Sequence, residues 1–442
     1  MFLRTIYDDK LAQASYLIGC QETGDAIVVD PNRDAQQYVR LARKEGLRIT
    51  HVTETHIHAD FLSGTRELAH ATGATMHLPQ QLNDGDVFNI GNIKFEVMHT
   101  PGHTPEHVCF LVTDTKTTDA PMGVLSGDFV FVGDVGRPDL LERAVGMTGT
   151  MEDSARQLFK SLQRFRQLPD YLQVWPGHGA GSACGKALGA VPQSTVGYEK
   201  LFSPPFSFQK ESEFIDFILS GQPEPPRYFA VMKRMNADGP AILGDLPKPR
   251  VLEANELTKY KHIVDTRAAL TYGKGHINGS INVPYNKAFP SRAGMFLPYD
   301  EEIVLIADPN LVNDIARDLA LIGIDNVAGH VPIAAINDLA TEQMPTIRTK
   351  EIVDALDDEN TVVIDVRGAS EYEEGHIDGA INISLPTLAD RLDEIPRDKK
   401  LVIHCEAGGR SAVAASVLQE KGYDAVNVLG GWTEWASMYK VK

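Results

Sequence analysis

VDTRAALTYGKGHINGSINVP at 264–284 lies over IDVRGASEYEEGHIDGAINIS at 364–384. Asp, Arg, Tyr, Gly, His, Ile, Gly, Ile and Asn recur at a constant offset of 100. A repeat of that period is a domain-sized unit, so the C-terminal part of the chain is expected to hold two homologous units. Each reads strand, helix, strand, helix, the alternation of a small α/β domain with a largely parallel sheet. The 442 residues exceed what one core supports. The expected division is therefore 1–245, 246–345 and 346–442, with the linker DLPKPR near the first boundary.

In the second repeat, LVIHCEAGGRSAVAASVLQEKGY (401–423) is an apolar strand ending at Cys405, then a loop that opens a helix near Ser411. A thiol there meets the backbone N–H groups of Glu406, Ala407, Gly408 and Gly409, a helix N-terminus and Arg410. All three favour a thiolate and any anion held beside it. In the first repeat Ala307 falls at the cysteine position, and the glycines and the arginine are gone. That repeat is expected to be inactive and structural.

The N-terminal part carries a second kind of signal. AIVVD (26–30) and ITHVTET (49–55) read as strands, 34–46 and 63–73 as helices, and KFEVMHTPGH (94–103) as a strand running into a turn. THIHADFLSG (55–64) delivers His56, His58 and Asp60 just past a strand end. His99 and His103 in MHTPGHT, Asp128 in SGD, Asp134 in VGD and His178 in PGH follow. Imidazoles and carboxylates gathered at one sheet edge suit zinc or iron.

THIHAD, TPGHT, GD at 127–128 and PGH at 176–178 make the N-terminal part resemble the metallo-β-lactamase fold, an αββα sandwich. That family's HxHxDH motif builds a two-metal hydrolytic site, and here Phe61 stands where its last histidine would be. The resemblance therefore implies one metal. In the persulfide dioxygenase branch a single Fe(II) per chain would be held by His56, His103 and Asp128. His58, Asp60 and His178 would then orient ligands or substrate. Arg137 is a candidate for holding an anionic group of the thiol carrier. The loop at 405–410, with IDVR at 364–367 and LGGW at 429–432, resembles rhodanese sulfurtransferases. Four residues separate Cys405 from Arg410, the sulfurtransferase length, so Cys405 is expected to carry sulfane sulfur in a ping-pong cycle.

The whole-chain order resembles bacterial persulfide dioxygenase–rhodanese fusions of sulfide detoxification. The fold class implied is α/β multidomain: a metallo-β-lactamase sandwich followed by two rhodanese-like domains. The resemblance implies a low-molecular-weight thiol persulfide (glutathione, coenzyme A or bacillithiol type), O2, sulfite and thiosulfate as partners. Two rivals remain: a glyoxalase II-like zinc thioester hydrolase, and a sulfur carrier or redox sensor acting through Cys405. The net charge of −18 argues against nucleic acid and anionic membrane. No signal peptide or membrane span is read, so a cytoplasmic protein is expected, with self-association through the inactive repeat. Cys20, Cys109 and Cys184 are expected to be reduced thiols, Cys109 in a core.

Overall fold

The protein, described here by a computed structural model over residues 1–440, divides into two compact units, Met1–Leu246 and Pro247–Lys442.

In the first unit, strands one to five pair in chain order into one sheet, and strands six to eleven pair in chain order into another. Side chains alternate along each strand, and the alternation sorts them between layers. Tyr16, Ile18, Ile27 and Val29 of the first sheet pack with Phe95, Val108, Phe110 and Trp175 of the second, forming the core between the sheets. Their neighbours Leu17, Ala26 and Val28 face outward onto Tyr38, Val39 and Leu68. Those three sit on the helices Ala35–Lys44 and Thr65–Thr72. On the other side, Cys109, Val124 and Val174 pack against Leu158, Leu162 and Phe214, carried by the helices Met151–Phe165 and Glu211–Leu219. The result is the expected αββα sandwich, with Cys109 in a core.

The polar clusters lie at one edge because the strands that carry them end there. Arg48–Thr53 leads directly into the histidine loop. Gly123–Gly127 and Gln173–Pro176 are adjacent and parallel, with Pro176 opposite Gly127, so Asp128 and His178 emerge side by side. A close approach fixes the TPGH turn: a Cβ on Gly102 would lie 2.5 Å from Leu158 Cα, at φ +144°.

In the second unit, the first repeat forms a four-stranded parallel sheet, and the second a five-stranded parallel one. The residues shared by the repeats are scaffold. Arg267 pairs with Asp265 at 2.6 Å and donates to Gly275 O at 2.8 Å. Arg367 does the same with Asp365 and Gly375 O, at 2.7 Å each. Tyr272 stacks on His276 and Tyr372 on His376, ring centroids 3.9 Å apart in both. Register also fixes the lost nucleophile. Ile306 lies opposite Asp265 as His404 lies opposite Asp365, which puts Ala307 in the place of Cys405.

The two repeats form one compact unit because they share a core. Tyr272, Met295 and Met344 of the first are buried with Ile364, Leu401, Cys405 and Ala412 of the second. The Asn282 amide also donates to Ser416 Oγ at 3.0 Å. No helix among the described residues is long and apolar enough to cross a membrane.

Gly102→Ala sets a methyl group against helix backbone in a conformation that L-residues rarely adopt. It should destabilise the first unit by about 1–3 kcal/mol and displace His103. Both are readable, from the denaturant midpoint and from metal content; an unchanged midpoint would show that the turn yields freely.

Candidate metal centre and thiol loop

The histidine loop gains its order from Asp30, which ends a strand at φ +50°. Its carboxylate accepts from the Thr55 amide at 2.6 Å and from Thr55 Oγ1 at 3.0 Å. Because that hydroxyl proton is committed to Asp30, Thr55 oxygen accepts from His56 Nδ1, 3.0 Å away. His103 Nδ1 donates to the Arg137 carbonyl at 2.9 Å. Both rings therefore carry their proton on Nδ1 and present a bare Nε2.

Those nitrogens converge on one carboxylate oxygen. Asp128 Oδ2 lies 3.7 Å from His56 Nε2 and 3.5 Å from His103 Nε2. His56 Nε2 and Asp128 Oδ2 are buried without a hydrogen-bond partner, and the three ligand atoms lie within 4.8 Å of one another. Orphaned acceptors aimed at a common point are what a divalent cation requires. Burial, then the neighbouring imidazoles, keeps His56 well below its usual pKa, and burial lowers His103 as well. Burial opposes charge on Asp128, yet His178, His103 and His58 hold it below the carboxylate range. Neutral imidazoles beside an ionised carboxylate form a competent ligand set.

The other oxygen of Asp128 is anchored. His178 Nδ1 lies 2.7 Å from Asp128 Oδ1, and His178 Nε2 lies 2.7 Å from Asp60 Oδ2. Burial opposes charge on His178, but Asp128 and Asp60 together hold its pKa well above the usual value. Cys184 is buried beside this chain; burial, then Asp128 and Asp60, pushes its thiol up, so it is a neutral neighbour.

His58 turns away from the convergence point. Its Nε2 lies 3.1 Å from Asp30 Oδ1. The fully buried Phe61 ring packs on it with centroids 4.4 Å apart. An apolar ring therefore fills the place of the further imidazole.

Three sequence expectations resolve otherwise. Arg137 does not offer its guanidinium to a substrate. It is fully buried, with Nε and Nη2 on Asp139 at 2.7 and 2.8 Å and Nη1 on the Ala183 carbonyl at 3.2 Å. The spacing Arg-x-Asp places that acid within reach; the part of Arg137 that serves the site is its backbone carbonyl. Asp134 caps a loop, accepting from the amides of Lys186 and Ala187. His99 reaches the Pro105 carbonyl and joins neither cluster.

Other residues of the site carry no local sequence signal. The Asp128 amide donates to His107 Nε2 at 3.1 Å, whose Nδ1 lies 2.8 Å from Thr100 Oγ1. Lys233 Nζ donates to the Ile57 carbonyl at 2.7 Å and lies 3.3 Å from Glu106. Asn236 holds the carbonyls of His58 and Phe61 at 2.9 and 2.8 Å. Both sit on the helix Tyr228–Asp238, which straps the histidine loop. An apolar cleft lined by Ile57, Ala59, Leu140, Leu141 and Val145 opens onto His103 and Lys233.

In the second unit, Cys405 follows the strand Lys400–His404, and the helix Gly409–Glu420 begins two residues before Ser411. Gly408 permits the early start, because it takes the left-handed conformation at φ +99° as the N-cap. Its amide donates to Cys405 Sγ at 3.2 Å, and Ser411 Oγ lies 3.4 Å from the sulfur. Ala407 and Gly409 are exposed on the loop. The Glu406 side chain accepts from Thr433 Oγ1 at 2.6 Å instead of facing the sulfur. LGGW closes the loop from behind. The Trp432 amide donates to the Cys405 carbonyl at 2.8 Å, and a Cβ on Gly431 would meet that carbonyl oxygen at 2.1 Å. Arg410 is ion-paired: both terminal nitrogens reach the Glu371 carboxylate at 2.6 Å.

Residues 8–80 and 74–178 match the Metallo-beta-lactamase superfamily, and residues 348–438 match the Rhodanese-like domain. A solved metallo-beta-lactamase of Staphylococcus aureus is 45% identical, with a TM-score of 0.69, over 75% of this chain and 99% of that one. The chain belongs to the metallo-β-lactamase superfamily. It adds a rhodanese-like domain at its C-terminal end. The mouse mitochondrial persulfide dioxygenase ETHE1 is 28% identical over 49% of this chain and 79% of its own length. A hydroxyacylglutathione hydrolase of Rhodospirillum rubrum is 30% identical over 37% of this chain and 60% of its own length.

Asp128→Ala removes the oxygen on which both imidazoles converge, and bound metal should fall to near zero. His58→Ala, which removes the Asp30 contact and the ring packing on Phe61 and His56 but no ligand atom, should retain most of it. Elemental analysis of both variants checks this, and full metal content in Asp128→Ala would remove that residue from the ligand set.

Proposed function

We propose that the chain is a two-centre persulfide-processing enzyme. The N-terminal domain is a persulfide dioxygenase that oxidises a low-molecular-weight thiol persulfide with O2 to sulfite. The C-terminal domain is a sulfurtransferase that passes sulfane sulfur from Cys405 to sulfite, giving thiosulfate. The observation that carries this reading is the donor set: His56, His103 and Asp128 converge on one point while Phe61 fills the place of a further imidazole. Two imidazoles and one carboxylate on one face of a metal leave open positions, the arrangement used by non-haem iron oxygenases. A ferrous ion there would supply the redox chemistry that adds both atoms of O2 to the terminal sulfur. Likeness to ETHE1 and the attached rhodanese domain support the same direction.

The chain's own residues do the rest. Thr55 and the Arg137 carbonyl fix the two ring orientations. His178 holds Asp128 so that only Oδ2 faces the imidazoles. The apolar cleft beside His103 excludes water from a reactive persulfide. Lys233, with its charge partly offset by Glu106, is positioned to meet an anionic group of the thiol carrier. At the second centre the Gly408 amide and the helix N-terminus stabilise the Cys405 thiolate and its persulfide.

The competing reading is zinc-dependent thioester hydrolysis of the hydroxyacylglutathione hydrolase kind. Two-metal activation of water needs a further ligand where Phe61 stands, and His58 is engaged by Asp30.

Anaerobically iron-loaded protein given a small-thiol persulfide should consume O2 and release sulfite or thiosulfate. Cys405→Ser should abolish thiosulfate formation and leave O2 uptake within about twofold. Loss of O2 uptake in Cys405→Ser would refute the division into two centres. Absence of uptake by the parent protein with several persulfides, alongside thioester hydrolysis by the zinc form, would establish the hydrolase instead.

A further inference from the structure

The anion site at Cys405 has an unexpected charge arrangement. The conspicuous cation of the loop, Arg410, is held by Glu371 in a two-point ion pair at 2.6 Å per contact. A guanidinium so paired contributes little net charge to an incoming anion. Glu406, also in the loop, brings no cation to the sulfur: it accepts from Thr433 and lies 3.7 Å from Arg367 Nη1. Thiosulfate is doubly charged near neutral pH and sulfite partly so, and the backbone amides would then carry most of the burden of offsetting them.

A second guanidinium reaches this loop from the other repeat. Arg292 lies on the helix Phe289–Phe296, in the repeat that has lost its own cysteine. Its Nη2 lies 3.9 Å from where a Cβ on Gly409 would stand. Met295 and Phe296 of the same helix pack into the core that contains Cys405, which holds the helix in place. Arg292 is half-buried, and no carboxylate or carbonyl is paired with its guanidinium among the described residues. Burial depresses its pKa, Cys405 opposes that and Arg410 adds to it, so Arg292 is within electrostatic reach of both.

We propose that Arg292, supplied by the inactive repeat, is the cation that binds the sulfur oxyanion at Cys405. This rests on the sulfurtransferase reading and adds its acceptor-recognition residue. The sulfite lone pair attacks the outer sulfur of the Cys405 persulfide. The S–S bond to Sγ breaks, and its electron pair stays on Sγ as thiolate. The new S–S bond makes thiosulfate, with no outside oxidant or reductant. Arg292 holds the sulfite oxygens while the attacking sulfur faces the persulfide. It also offsets the repulsion between a dianion and an anionic persulfide.

The test uses the full chain, with Cys405 loaded from cysteine persulfide and the loading read by intact mass. Transfer is then measured to sulfite and to 2-mercaptoethanol, a neutral thiol. In Arg292→Ala the KM for sulfite should rise roughly 10-fold to 100-fold, the loss of one charge-assisted contact. Loading and the KM for 2-mercaptoethanol should stay within about twofold. Arg292→Lys should recover part of the sulfite KM. An unchanged sulfite KM in Arg292→Ala overturns the proposal, as does an equal loss with both acceptors, which marks a structural role. Failure of the parent protein to load sulfur at Cys405 refutes the sulfurtransferase reading itself, an outcome distinct from either.

Discussion

Asp128 has two carboxylate oxygens, and the N-terminal site depends on their being used differently. Oδ1 is bound by His178, which is itself held by Asp60. Oδ2 is left to face His56 and His103. A free carboxylate would rotate and lose this distinction. Here it cannot, because backbone surrounds it. A Cβ on Gly177 would come within 2.6 Å of Oδ1, and one on Gly136 within 1.8 Å of the Asp128 carbonyl oxygen. The sheet carries the arrangement: two parallel neighbours deliver Asp128 and His178 from the same edge. An imidazolium between two carboxylates in a buried setting is favourable because both of its ring nitrogens are paired.

Once that carboxylate is fixed, the rest of the centre follows by hydrogen bonding. Asp30 orders Thr55, Thr55 sets the tautomer of His56, and the Arg137 carbonyl sets that of His103. Asp30 also draws His58 away. The same residue thus orients one imidazole of the HIHAD stretch and withdraws the other, which leaves a three-donor site with one histidine from that stretch. Phe61 completes the separation by packing on the withdrawn ring.

The ligand types were legible because they fall just past strand ends in short motifs with Gly and Pro. The sandwich was legible through the resemblance that THIHAD, TPGHT, GD and PGH carry, and the paired units from a repeat offset of 100. The supporting partners were not. Asp30, His107, Lys233 and Asn236 are single residues scattered from 30 to 236, and only tertiary packing brings them to one loop. Arg137 was misjudged for a local reason: Asp139 two residues on captures its guanidinium. The ion pair of Arg410 was not legible because its partner, Glu371, lies 39 residues away.

The repeats show what each copy needs in order to remain. Asp265, Arg267, Tyr272, His276 and Asn282 persist with the same contacts as their counterparts, because those contacts hold a strand to a helix and a loop. The cysteine is not part of that scaffold, and Ala307 fills its place at the end of a fully buried strand. The packing face is different. Tyr272, Met295 and Met344 are buried with the core around Cys405, each contributing on the order of 1.5–3 kcal/mol by transfer from water. A first repeat without its loop chemistry still completes the second. Loss of the nucleophile leaves that helix face, and any side chain it projects toward Cys405, under constraint from the surviving site.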